Sequence, residues 1–414
     1  MNTRQGAVVG VGVVAVLAAA MPIQAAWVVH EIPVLPHWTG SAEGRDINSN
    51  GVVCGQGNYV INTSSAPFRY DGTTVTELPL LPDANAPIGL TTGINASGVV
   101  CGYSRNAGGS SRAVIWVDTT VVPLPYPPGA NPDADLRAYG INDAGVVVGY
   151  GWDTTGQRIA FYHKDGVSYN LDATIRANGL FGLQATNGVN NRNVICGVAD
   201  DDWGYSAAWT YDIESDTFTV LGRIGPDNCS AVDINNAGQT VGRSRVELGG
   251  TILAVTFDGA WYVVDPTAVG TQWGEAINER GRMVGNIGTG DARFGWYSDG
   301  HGDGHMKIID LPGWTRETVQ GINDRDRIVG FGRTDASGDN TRAFILRPPP
   351  GDGNHDGEVD LDDYPFFADC MAGPNETPAP VLPGRSAADC LHDFDFDADD
   401  DVDLADFAAF SALM

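Results

Sequence analysis

Basic residues are scarce in this chain. Lys and Arg number 24 against 52 Asp and Glu, giving a formal net charge of −28. Such a balance works against nucleic acid, anionic lipid and acidic polymers as partners. Histidine is rare too, at seven residues. The one local pair, His301 and His305 around Asp303, reads as a Gly-rich hairpin loop rather than a metal site. No Ser-His-Asp spacing, phosphate-cradling Gly loop or zinc motif is present. Only residues 7–20 form a long apolar run, followed by Pro22 and a small-residue stretch. That is the pattern of a secretory signal over 1–26, too short for a membrane span, and no other segment is apolar enough to cross one. Export of the mature chain is therefore expected.

Cysteine is limited to six residues, in two sets. Cys54, Cys101 and Cys196 stand where equivalent segments carry Val, and read as small buried hydrophobes. Cys229 is assigned no partner. Cys370 and Cys390 lie between two acidic loops, in a region too small to be robust alone, and are expected to form a disulfide.

What is abundant is repetition. An apolar-Asn pair followed by a turn and a short apolar run ending in Gly occurs seven times, at Ile47, Ile94, Ile141, Val189, Ile234, Ile277 and Ile322. A period in the forties with strand-like content predicts a radial β array, one blade per copy. The last turn residue needs positive φ. It is Gly51, Gly98, Gly145, Gly238 or Gly281, with Asn193 and Asp326 as the exceptions. The Asn side chain is suited to bonding the backbone two residues on. Each copy continues with an apolar-aromatic strand and, after a turn, a fourth strand. The seventh copy stops at Leu346 before a Pro run and lacks its fourth strand. An unpaired strand of the right form opens the array at Trp27. The strand arithmetic balances only if the ends meet, so a closed all-β ring of seven four-stranded blades is expected over 27–347. The Ile-Asn…Gly-x-Val-Val-Gly and Ala-Phe-aromatic pattern resembles the extracellular HAF repeat. That resemblance implies a secreted propeller and no particular reaction.

After a Pro/Gly linker at 348–351 the composition changes. The last 64 residues hold 17 acidic side chains and one basic one, Arg385. Oxygen side chains stand at positions 1, 3, 5, 9 and 12 of a twelve-residue loop: Asp352, Asn354, Asp356, Asp360 and Asp363. A second loop repeats this with Asp395, Asp397, Asp399, Asp403 and Asp406. Position 7, Glu358 or Asp401, offers its backbone carbonyl. That spacing collects the six or seven oxygens a calcium ion takes, so two Ca2+ ions are expected in 352–414. Short helices are expected over 362–371 and 404–413, packing through Phe366, Phe367, Phe407 and Phe410. A duplicated loop-helix ending in Asp resembles a type I dockerin. The stretch around Phe367 to Pro374 is similar to dockerin-like modules of planctomycete secreted proteins. The resemblance implies a cohesin-type protein partner, with Leu361-Asp362 and Leu404-Ala405 at the partner-selecting positions in place of Ser/Thr pairs.

No pair of carboxylates stands out in the sequence as a glycosidase dyad. Asp200, Asp201, Asp202 and Trp203 read as a solvated loop. The favoured expectation is a secreted, non-catalytic binding or display propeller, with a glycan as one conceivable ligand, anchored through the calcium module. The alternative is a polysaccharide-degrading enzyme brought to a scaffold by that module. It would gain if Trp203, Trp209, Trp273 or Trp314 clustered beside two carboxylates.

Overall fold

Short β-branched runs separated by turns with positive φ fold here into seven antiparallel sheets of four strands each. The computed structural model describes residues 27–414 except 60–63, 248–249, 290–291, 299–305, 335–339, 355–358, 383–386 and 397–400. The signal segment 1–26, the His301–His305 loop and the sites Asp356, Glu358, Asp397 and Asp399 lie outside the described residues. Two compact units result, one spanning Ala26–Pro349 and the other taking in Pro350–Met414.

Blades are numbered by their Ile-Asn copy. Six take their four strands in sequence order, from innermost to outermost. The seventh joins three strands, Trp314–Ile322, Ile328–Thr334 and Arg342–Arg347, to the first strand of the chain, Val28–Glu31. Val28 pairs Arg347 and Glu31 pairs Phe344, antiparallel. The two ends therefore close the ring as the repeat arithmetic requires. All seven turn residues have positive φ, from +53° at Asp326 to +87° at Gly238.

The Asn of each copy does more than hold its own turn. The Asn48 Oδ1 accepts the N–H groups of Asn50 and Val52, at 3.1 and 2.9 Å. Its Nδ2 donates to the carbonyl of Asn95 in the next blade, at 2.8 Å. The same bond recurs from Asn95, Asn142, Asn190, Asn235 and Asn278 to the next Asn in turn. Asn323 then donates to Asn48, at 2.9 Å, and the circle is complete. Asn193 and Asp326, the two turn residues that are not Gly, each accept a further bond from the preceding blade's Asn, at 2.8 Å.

The Gly of the repeat lies inside the second strand rather than at its end. Gly55 sits within Val53–Tyr59 and Gly285 within Met283–Thr289. A Cβ at Gly55 would stand 2.3 Å from the Glu43 carbonyl and 2.5 Å from the Phe68 ring. The absent side chain seats the ring of the third strand, and Phe68, Phe161, Trp209, Trp296 and Phe344 are fully buried. One short helix was not legible in the pattern: α1 (Asp172–Ala177), between blades 3 and 4, anchored by the buried Ile175.

Among its described residues the C-terminal unit has three further helices, α2 (Tyr364–Cys370), α3 (Ala387–Phe394) and α4 (Leu404–Ser411). The expected first helix begins as a 3-10 turn over Leu361–Asp363. Its core is Phe367, Phe394 and Phe410, all fully buried, with Phe367 and Phe410 stacked at 4.9 Å. Phe366 and Phe407, also expected inside, are only partly buried. The Cys370–Cys390 disulfide forms and ties α2 to α3. Cys54, Cys101, Cys196 and Cys229 are free and buried. Burial pushes the Cys101 thiol up to about 12, so it is inert.

Candidate functional site

Each innermost strand carries a register shift one residue before the Gly, Ala or Asp that precedes its Ile-Asn pair. In blade 1 the shift falls between Gly44 and Asp46, and in blade 6 between Gly274 and Ala276. The bulged residues are Arg45, Thr92, Tyr139, Asn187, Val232, Glu275 and Gln320, and all seven line one central cavity of about 520 Å3. A bulge re-aims its side chain off the regular alternation, which here turns it into the channel. The blades are otherwise near-uniform, so chemical variety is concentrated on this wall.

The residue after the bulge is Gly or Ala in five blades and Asp in two. Asp46 Oδ1 accepts the Ile47 N–H at 2.8 Å and Oδ2 accepts Ile94 N–H of the next blade at 2.9 Å. Asp233 does the same with Ile234 and Ile277, at 2.9 and 3.0 Å. Each carboxyl thus clamps two adjacent blades. Burial pushes Asp46 up to about 7 and Asp233 up to about 6, against the opposing pull of those amides.

The channel wall is polarised. Blades 5, 6, 7 and 1 present Arg243, Glu275, Gln320 and Arg45. Blades 2, 3 and 4 present Thr92, Tyr103, Tyr139 and Asn187. Arg45 is held by Gln320 at 3.1 Å and by Glu43 at 2.6 Å. Glu275 accepts from Asn286 at 3.3 Å, and burial raises its carboxyl. Tyr139 stacks on Tyr150 at 5.1 Å with their hydroxyls 3.0 Å apart. The Arg137 guanidinium covers one face of Tyr103, at 4.9 Å. Arg243 is exposed and bonds no described residue through its side chain. A smaller cleft of about 220 Å3, lined by Leu183, Val198 and Ile252, shares Arg243 with the channel.

The four tryptophans that would have favoured an enzyme are not gathered here. Trp209 is buried in blade 4, and Trp203 is 84% exposed at a loop tip, where Asp201 bonds its N–H and pairs with Arg223. Trp314 packs on Phe344, and Trp273 lies under Arg293. None of the four lines the channel. Three carboxylates do meet there, Asp46, Asp233 and Glu275, which the sequence did not single out.

In the C-terminal unit both loops close by one device. The position-12 carboxylate reaches back across the loop: Asp363 accepts the N–H groups of Asn354 and Asp360, at 3.0 and 2.8 Å. Asp406 accepts those of Phe396 and Asp403, at 2.7 and 2.8 Å. Asp360 and Asp403 in turn cap the helices that follow. Asp352, Asp363, Asp401 and Asp406 are buried, while Asp360 is exposed and Asn354, Asp395 and Asp403 are intermediate. Carboxylate oxygens of Asp401, Asp403 and Asp406 lie within 4.8 Å of one another. The Asp401 carboxylate, whose residue was expected to offer its backbone carbonyl, lies in this group and also accepts the Asn375 N–H. Oxygen-only donors at that spacing suit a hard divalent cation.

No protein-family model and no curated protein sequence matches the chain. Solved structures do. The β-propeller domain of the Trilobed protease from Pyrococcus furiosus superimposes with a TM-score of 0.50 at 10% identity, covering 74% of this chain and 95% of that one. A puromycin hydrolase mutant complexed with PGG gives 0.50 at 14%, covering 76% and 53%. TolB from Acinetobacter baumannii gives 0.42 at 10%, covering 65% and 63%. The likeness is one of fold alone. The match thus spans little more than half of the hydrolase and less than two thirds of TolB. The Pyrococcus domain is described as an open velcro topology, whereas here the first strand pairs the last. Among the described residues no helix is long and apolar enough to cross a membrane.

Proposed function

We propose that this chain is an exported ligand-binding propeller, held to a cohesin-type protein partner by a C-terminal module that binds two Ca2+ ions. The observation that carries the reading is the duplication of one loop device, in which Asp363 and Asp406 draw their loops closed through matching pairs of backbone amides. Position 10 of each loop supports it further. Leu361 and Leu404 are 74% and 73% exposed, an equivalent pair of apolar side chains offered outward. Such paired exposure suits a protein partner able to read either repeat.

For the propeller, the clamping role of Asp46 and Asp233 favours binding over turnover, since each spends both oxygens on backbone amides. A second reading, glycoside hydrolysis, draws on the convergence of those two carboxyls with Glu275 in one cavity. Reducing-sugar release from polysaccharide by the purified chain separates the two, and sustained turnover lost in Glu275→Gln would replace the binding reading. Calorimetric titration of the chelator-stripped chain with calcium tests the module. Two sites are expected, reduced to one in Asp406→Ala. A chain that takes up no calcium, or whose uptake Asp406→Ala leaves unchanged, would overturn the module reading.

A further inference from the structure

The channel wall specifies the chemistry of its ligand more closely than the fold does. Its cations are matched by carboxylates: Arg45 is bound to Glu43, and Arg243 lines the same cavity as Glu275, Asp46 and Asp233. No net positive charge is left over to hold a full anion. What remains is an open guanidinium beside a carboxylate on one side. On the other is a tyrosine ring fixed by a second tyrosine. A pyranose meets both halves. Its vicinal hydroxyls donate to a carboxylate and accept from a guanidinium, and its C–H face packs on an aromatic ring. The cavity, at about 520 Å3, has the size of small-ligand sites.

We propose that the central channel binds one uncharged pyranose unit of a saccharide, with its hydroxyls bridging Arg243 and Glu275 and its ring against Tyr139. The cleft between blades 4 and 5, which shares Arg243, takes the adjoining unit. This site deepens the binding reading of the propeller and is independent of the calcium reading of the module.

The test is isothermal titration of the whole chain with cellohexaose, xylohexaose, mannohexaose and laminarihexaose, and with trigalacturonate as the acidic comparison. At least one neutral oligomer is expected to bind with a stoichiometry of one, and trigalacturonate no more tightly. Arg243→Ala and Glu275→Gln should each weaken binding about tenfold or more, as loss of a charge-assisted hydrogen bond does. Val232→Trp, which fills the channel from a bulge position without a side-chain bond to lose, should abolish binding. Trp203→Ala, at the exposed loop tip, should leave it unchanged. Binding should persist in chelator, so failure of the calcium module would not remove it. The assignment is overturned if no neutral oligomer binds or if trigalacturonate binds more tightly. Loss of binding in Trp203→Ala or in chelator, with Arg243→Ala intact, would also overturn it. Should Val232→Trp fail to fold, Arg243→Ala, at an exposed side chain, and the near-isosteric Glu275→Gln still decide, and binding left unweakened in both would overturn the assignment.

Discussion

At the scale of single residues, the sharpest consequence concerns pH. Burial raises Asp46 to about 7 and Asp233 to about 6, and it raises Glu275, Glu279 and Glu317 as well. An unfolded carboxyl titrates near about 4. Between these values the folded chain holds more protons than the unfolded one, so stability falls as pH rises through that window. Asp71, Asp153 and Asp265 are lowered, but they are already ionised in both states above about pH 5 and do not contribute there. His163, lowered by burial, pulls the other way, one group against five. All ten tryptophans precede residue 350, so their fluorescence reports the propeller alone. We expect its melting temperature to drop between pH 5 and 8. Asp46→Asn should lower the melting temperature at pH 5 yet flatten the slope, because the amide replaces one acceptor with a donor. A melting temperature that rises over this range would contradict the assignment. Whether a recurring small residue is replaceable is also decided at this scale. Gly55→Ala would drive a methyl into the Glu43 carbonyl and the Phe68 ring, and should cost about 1–3 kcal/mol by denaturant titration. Gly145→Ala meets no neighbouring atom and pays only for its positive φ, at the lower end of that range or below.

At the scale of elements, the weak point is the seam between Val28–Glu31 and Arg342–Arg347. Deleting residues 27–36 removes the outermost strand of blade 7 and the buried Ile32. The deletion variant should melt well below the parent and associate at the exposed edge of Arg342–Arg347, seen as a larger species by light scattering. Unchanged melting would show that the seam contributes little. Strand order, ring closure and the positive-φ turns were all legible in the sequence, because period and turn chemistry are local and were written seven times over. The bulges were not. They depend on a mismatch in register between two strands, and nothing in Gly44-Arg45-Asp46 announces which residue is extra. The channel lining was hidden for the same reason. In the C-terminal unit the loops could be read from spacing, whereas α3 (Ala387–Phe394) lies between the two loop-helix copies and outside the repeat, and its one sequence signal, Ser386 followed by Asp389, was passed over. Phe394, at its end, was accordingly missed as a core residue.

At the scale of the whole molecule, two units answer to different conditions. The acidic one carries 17 carboxylates against one Arg, and its loops repel themselves when no cation is present. Chelator should therefore reduce the helical circular-dichroism signal while leaving tryptophan fluorescence untouched, and calcium should restore it. A joint loss of both signals would mean that the units do not fold separately. The propeller, by contrast, is tied by a circle of asparagine bonds in which each blade donates to the next and blade 7 donates to blade 1 as any other pair does. In that circle no blade is first. The place where the polypeptide happens to begin is then an accident of the gene and not a property of the architecture. Joining residue 347 to residue 27 through a short linker and opening the chain at another loop, such as Asp153–Gly156, yields a circular permutant with every interblade bond retained. A toroid held in this way has rotational rather than linear order, and its native end-to-end seam is one of several that the ring would accept.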